Sequence, residues 1–147
     1  MGADFKLCVR ILSRGTGMSL QRYAKGARAE RELLGILDAK GWSVTRSAGS
    51  GVNAISPDLI AIKGGKCVSI ECKAWDSTSL ALDGDQYRKL LYWRDNGAFP
   101  TFVAWRMKGE GWYFIELGEF EKGDTDNWNI TRKKVHQSNR KLEDVFP

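Results

Sequence analysis

The chain has 147 residues, 42% of them hydrophobic and 28% charged, which suits one domain with a single buried core. A net charge of +5 and a pI near 9.2 favour an acidic partner, nucleic acid being the commonest. No apolar run approaches the roughly 20 residues of a membrane span, and the acidic start Met1-Gly2-Ala3-Asp4 is unlike a signal peptide, so the expected setting is intracellular, cytoplasmic or nucleoid-associated.

Residues 1–17 are expected to be an N-terminal extension. Phe5, Leu7, Val9 and Ile11 alternate as in a strand, while Phe5, Cys8, Val9 and Leu12 fit a helix face, and the pattern does not choose. Met18 offers a second start. A central domain then covers 18–120. Gly26 to Lys40 is periodic as a helix, with Gly41 as its stop. Trp42 to Ser47 reads as a strand, and Ala48 to Ser56, with Gly49, Ser50, Gly51 and Asn53, as a mobile loop. Pro57–Lys63 and Lys66–Ala74 are two strands joined by a Gly64-Gly65 turn. A second helix starts at an Asp83 N-cap and ends near Asn96-Gly97. Thr101–Arg106 and Gly111–Glu116 form another hairpin. The order helix, three strands, helix, two strands predicts an α/β fold: a mixed sheet of about five strands flanked by helices.

Residues 121–147 read as a basic tail carrying Arg132, Lys133, Lys134, Arg140 and Lys141. A second basic cluster, Arg14, Arg22, Lys25, Arg28 and Arg31, leads into the first helix. Cys67 and Cys72 fall on opposite faces of one strand, which argues against a disulfide between them. With Cys8 and the single His136 they match no zinc spacing. Trp93, Trp105 and Trp112 sit in periodic segments and are expected in the core.

The strongest signal is a set of charges on the two central strands. Alternation puts Cys67, Ser69, Glu71 and Lys73 on one face and the apolar Val68, Ile70, Cys72 and Ala74 on the other. The short turn brings Asp58 alongside Glu71. An isolated carboxylate–ammonium pair among buried neighbours is costly, so such a face commonly holds a metal or a substrate group. Two converging carboxylates suit Mg²⁺, which leaves its other positions to water and phosphate. Lys73 points the same way, toward the attacking water or the developing charge. The plain alternative is a surface hairpin with an ordinary Glu–Lys pair. Pro57 before Asp58 and the strand–turn–strand context weigh against it. On the first helix, Leu33, Leu34 and Leu37 mark the buried stripe, and Glu30 extends it where an acid needs a cation to meet. Gln86 opens the second helix, either as a partner of the water or metal shell or as a surface cap.

These residues resemble the archaeal-type Holliday-junction resolvases, within the PD-(D/E)xK nuclease superfamily. The resemblance runs from about Lys25 to Trp105. It is carried by Lys25-Gly26-Ala27-Arg28-Ala29-Glu30-Arg31, Val44-Thr45-Arg46, Ser50-Gly51, Pro57-Asp58-Leu59-Ile60-Ala61, Ile70-Glu71-Cys72-Lys73, and Gln86 with Lys89-Leu90-Leu91. It implies a restriction-endonuclease-like fold, with 18–120 as the nuclease domain. It also implies a homodimer, and Mg²⁺-dependent paired nicking of a four-way DNA junction that leaves 5′-phosphates, with Mn²⁺ able to substitute. Carried over, Glu30, Asp58 and Glu71 hold the metal and Lys73 is the catalytic lysine. Lys25, Arg28, Arg31 and Arg46 bind DNA, Ser50 lies near the scissile strand, and Gln86 supports the site. The ends of the chain depart from the family's compact members.

The rivals are another nuclease on the same fold (restriction-type, recombination exonuclease or repair nickase) and a non-catalytic DNA-binding module. Intact acids speak against the latter, because binding alone needs none facing phosphate.

Overall fold

The computed structural model describes residues 17–47 and 55–147. The expectations for residues 1–16 and for Ser50 lie outside the described residues. Helix α1 spans Gly17–Ala39, nine residues earlier in its start than the sequence suggests (26 against 17). Leu33 and Leu37 are fully buried and Ala29 nearly so, giving a stripe at helical spacing. Its end is a Schellman motif. Gly41 takes φ +81°, its N–H bonds to Asp38 O at 2.9 Å, and Trp42 N–H bonds to Leu37 O at 3.0 Å.

Strands β1 (Ser43–Arg46), β2 (Leu59–Lys63), β3 (Lys66–Lys73), β5 (Thr101–Met107) and β6 (Gly111–Glu116) form a five-stranded sheet in the order β1-β2-β3-β5-β6. Gly64 and Gly65, at φ +55° and +77°, make the two-residue β2–β3 turn that only residues tolerant of positive φ adopt readily. Strands β3 and β5 are parallel, and the other pairs are antiparallel. A parallel pair needs a crossover. Here it consists of β4 (Ser79–Asp83) and helix α2 (Gly84–Gly97). Asp83 caps α2, its carboxylate accepting Gln86 N–H at 2.8 Å. The helix ends where expected. Gly97 is its last residue, where a Cβ would meet the Phe99 ring at 1.9 Å, and Ala98 takes the positive φ of 50°.

The stretch after Glu116, expected to be a tail, is folded. A 3₁₀ turn at Leu117–Glu119 leads to β7 (Glu121–Lys122), β8 (Asn127–Thr131), α3 (Arg132–Ser138) and α4 (Leu142–Val145). Strands β4, β8 and β7 make a second, three-stranded antiparallel sheet. Apolar residues scattered through this segment explain why it docks. Ile130 and Val135 join one core, and Phe146, fully buried, joins another. Each such side chain contributes about 1.5–3 kcal/mol of burial.

The main sheet is therefore covered on both faces. Even-numbered residues of β3 and β5 (Val68, Ile70, Phe102, Ala104) pack on α1, Trp42 and Phe146. Odd-numbered Val103 and Trp105 of β5 pack on Tyr87 and Leu90 of α2 and on Leu80 and Leu82 of β4. No helix among the described residues is long and apolar enough to cross a membrane.

Candidate active site

The second face of β3 leads from a polar, buried base to its charged end. Ser69 Oγ and Thr101 Oγ1 lie 2.7 Å apart, both residues buried, and tie β3 to β5. Two residues on, Glu71 is only 4% exposed. Lys73 closes the strand at the carboxyl end of the parallel pair, the end at which open α/β sheets bind ligands.

Asp58 arrives from the neighbouring strand. Ser47, at the end of β1, fixes the step before β2. Its Oγ donates to Pro57 O at 2.7 Å, and its N–H donates to Asp58 O at 2.9 Å. The β2–β3 register pairs Leu59 with Ile70, which brings Asp58 beside Glu71 and Cys72. Cys72 N–H donates to Asp58 Oδ2 at 2.8 Å. Even so, the Asp58 carboxyl is pushed up to about 7. Burial is the largest cause, and the charge of Glu71, with a smaller effect from Glu30, adds to it.

Glu30 comes from α1, 7% exposed, and accepts Arg46 Nε from β1 at 2.7 Å. Glu71 meets three side chains. Gln86 Nε2 donates to its Oε1 at 2.9 Å, Lys73 Nζ stands 3.9 Å from Oε1, and Lys89 Nζ stands 3.5 Å from Oε2. Oε2 is buried and accepts no hydrogen bond, the Lys89 ammonium standing 3.5 Å away. Glu30, Asp58, Glu71, Lys73, Gln86 and Lys89 all line one open cleft of about 1570 Å³, walled on its far side by Tyr92, Trp93 and Phe99.

The expected acids and the lysine thus share a pocket, although they are far apart along the chain. Gln86 takes the site-facing of its two readings. The basic residues divide. Arg46 is engaged with Glu30, while Lys25, Arg28 and Arg31 are exposed on α1 outside the cleft lining. Trp93, expected in the core, is half-buried on the cleft wall and donates its Nε1–H to Ile55 O at 2.8 Å. Trp105 and Trp112 are buried as expected. Cys67 and Cys72 are free thiols, and burial pushes both up from the ordinary thiol range.

Comparison with known proteins agrees with this fold. The family model described as archaeal Holliday junction resolvase (Hjc) matches residues 21–147, nearly the whole chain and including the segment after Glu116. The chain belongs to that family. A relative from Methanocaldococcus jannaschii, named crossover junction endodeoxyribonuclease Hjc, is 34% identical over 60% of this chain and 64% of its own length. One of the same name from Archaeoglobus fulgidus is 31% identical over 67% of this chain and 74% of its own. The match to the first thus spans less than two thirds of that relative. The solved structure of the A. fulgidus Hjc, a Holliday junction resolvase, superposes with a TM-score of 0.68 at 26% identity, covering 77% of this chain and 88% of that one. Lys89 entered the sequence reading only as part of the resemblance, with no role of its own. Its signal was the spacing of three from Gln86, which sets both on one face of α2.

Proposed function

We propose that this chain resolves four-way DNA junctions, cutting opposed strands by hydrolysis to leave 5′-phosphates and 3′-hydroxyls. The observation that carries the reading is the convergence of Asp58, Glu71 and Lys73 at the carboxyl end of β3, with Glu30 brought in from α1. The donor set fits a hard divalent cation. Glu71 Oε2 is a buried oxygen without a donor, and burial first, then the charge of Glu71, raises the Asp58 carboxyl, which a cation between the two would offset. No three His, Cys, Asp or Glu side chains among the described residues come together as a metal-holding group, and Glu30, expected as a third metal acid, stands with Arg46 instead. Mg²⁺ needs no such group, since one or two carboxylates suffice when water and phosphate complete its shell. Asp58 and Glu71 would hold Mg²⁺, or Mn²⁺ in its place. Such an ion supplies Lewis-acid polarisation of the phosphate.

The chain's own residues do the rest. Gln86 fixes the Glu71 carboxylate in rotation, and the Cys72 N–H fixes that of Asp58. Lys73 offsets negative charge developing on the phosphate or orients the attacking water. Arg46 pairs with Glu30 at the cleft margin. Lys25, Arg28 and Arg31 grip phosphates from α1, giving salt-sensitive binding with little sequence information, so selectivity comes from junction shape. A junction has approximate two-fold symmetry, and paired cuts call for a homodimer about a C₂ axis, acting inside the cell where such DNA arises.

The test is incubation with a synthetic four-way junction or the matching linear duplex, with and without Mg²⁺. Cleavage of the junction alone, dependent on the metal, is expected. Equal cutting of both substrates refutes junction selectivity. Asp58→Asn and Glu71→Gln should each abolish cleavage and leave junction binding in place. Undiminished cutting by either removes the site assignment.

A further inference from the structure

Lys89 makes no hydrogen bond among the described residues, yet its side chain is only 17% exposed and its ammonium stands 3.5 Å from Glu71 Oε2. It reaches into the cleft from α2, on the same helix face as Gln86 and Trp93. A surface lysine would extend into water. This one is turned toward the single buried carboxylate oxygen that has no donor.

The local charges clarify its position. Around Glu71 three acids gather, Glu30, Asp58 and Glu71, and three bases face them: Arg46 on Glu30, and Lys73 and Lys89 on Glu71. The cleft lining also holds Asp83, Asp85 and Asp126, the last two paired with Arg88. Glu71 Oε2 cannot serve a divalent ion at about 2 Å and an ammonium at hydrogen-bonding range together without strong repulsion between the cations. A lysine's four-carbon stem is flexible enough to yield. The anion that then enters the same cleft is a phosphodiester.

We propose that Lys89 is a further phosphate-binding residue of this site. It balances Glu71 while the metal is absent, and it swings to the scissile phosphate when the metal takes Oε2. The proposal rests on the nuclease reading above and deepens it. It assigns Lys89 a role opposite in sign to that of a structural prop, because a prop for Glu71 would strengthen metal binding.

The experiment is Mn²⁺ titration of DNA-free protein by electron paramagnetic resonance, comparing wild type with Lys89→Met, Lys89→Gln and Lys89→Arg. Removing one nearby positive charge should tighten Mn²⁺ binding about tenfold in the Met and Gln variants. The Arg variant should stay near wild type. At saturating Mn²⁺, single-turnover cleavage of a junction should fall about tenfold in the Met and Gln variants and recover largely in the Arg variant. Two neutral variants guard against one that fails to fold, and unchanged melting temperatures would exclude a general defect. Unchanged or weaker Mn²⁺ binding in the neutral variants overturns the proposal, as does tighter binding with undiminished cleavage. If wild type neither bound Mn²⁺ nor cut the junction, the nuclease reading itself would fall. If wild type bound and cleaved but the variants matched it, only the role of Lys89 would be lost.

Discussion

At the level of single residues, the site depends on polar groups buried beneath it. Ser69 and Thr101 are 0% and 4% exposed, and their hydroxyls satisfy each other just two residues below Glu71. Thr101→Val keeps the shape but orphans the Ser69 hydroxyl, at an expected cost of about 1–3 kcal/mol in urea denaturation. The double variant with Ser69→Ala should recover part of that loss, since the partners interact directly. Simple addition of the two single costs would show that the bond contributes nothing. The same local logic explains which site residues could be read from sequence. Asp58, Glu71 and Lys73 were legible because strand alternation and a two-residue turn leave little freedom in their placement. Glu30 was legible because an acid in an apolar stripe is anomalous. Its pairing with Arg46 was not, since that depends on how α1 lies across β1. Lys89 carried no role in the sequence, because its approach to Glu71 depends on how α2 lies over β3.

At the level of elements, the segment after Glu116 behaves as part of the core. The Phe146 ring meets Trp42 at 5.0 Å and Phe114 at 5.5 Å, both edge-on, although it is the second-last residue. Phe146→Ala should therefore destabilise the domain by about 3–5 kcal/mol, read by chemical denaturation. A loss within experimental error would mean the terminus is not docked. Helix α3 is held to the β5–β6 turn through Glu110, which accepts from Arg132 and His136 at 2.6 Å each and from Tyr113 at 3.0 Å. The His136 bond is the main cause of a Glu110 carboxyl held down at about 2 rather than 4.5, with Tyr113 and Arg132 adding to it against a burial effect that raises it. A depressed acid stabilises the fold above its ordinary pKa and loses that contribution as pH falls from about 4.5 through about 2. Glu110→Gln should melt lower than wild type at neutral pH, with the gap closing across that acid window. A gap independent of pH would refute the linkage. None of this was visible in the sequence, because β8 and α3 are short and largely polar, and their partners lie far off in the chain. The longer β3, β5 and α1 were visible because periodicity and glycine stops persisted over enough residues to register.

At the level of the whole molecule, covering the sheet on both faces leaves the carboxyl end of β3 as the place where charged groups can meet a large ligand. The fold places Asp58 and Glu71 together there, at an electrostatic cost visible in the raised Asp58 carboxyl. A divalent ion should relieve that repulsion in the native state only, since the unfolded chain keeps the two acids apart. Metal binding should therefore appear as global stability, even without DNA. With free Mg²⁺ about 100-fold above its dissociation constant, the stabilisation should be about 2.7 kcal/mol, with the melting temperature climbing logarithmically thereafter. Asp58→Asn removes both the proposed ligand and the repulsion. It should raise the melting temperature of the metal-free protein while abolishing the response to Mg²⁺. Scanning calorimetry of both proteins across a Mg²⁺ series, at constant ionic strength to exclude general salt effects, separates the two signs. A parallel rise in wild type and variant would place the ion elsewhere on the molecule. A flat wild-type response would mean that the DNA phosphate must complete the metal site before the ion binds.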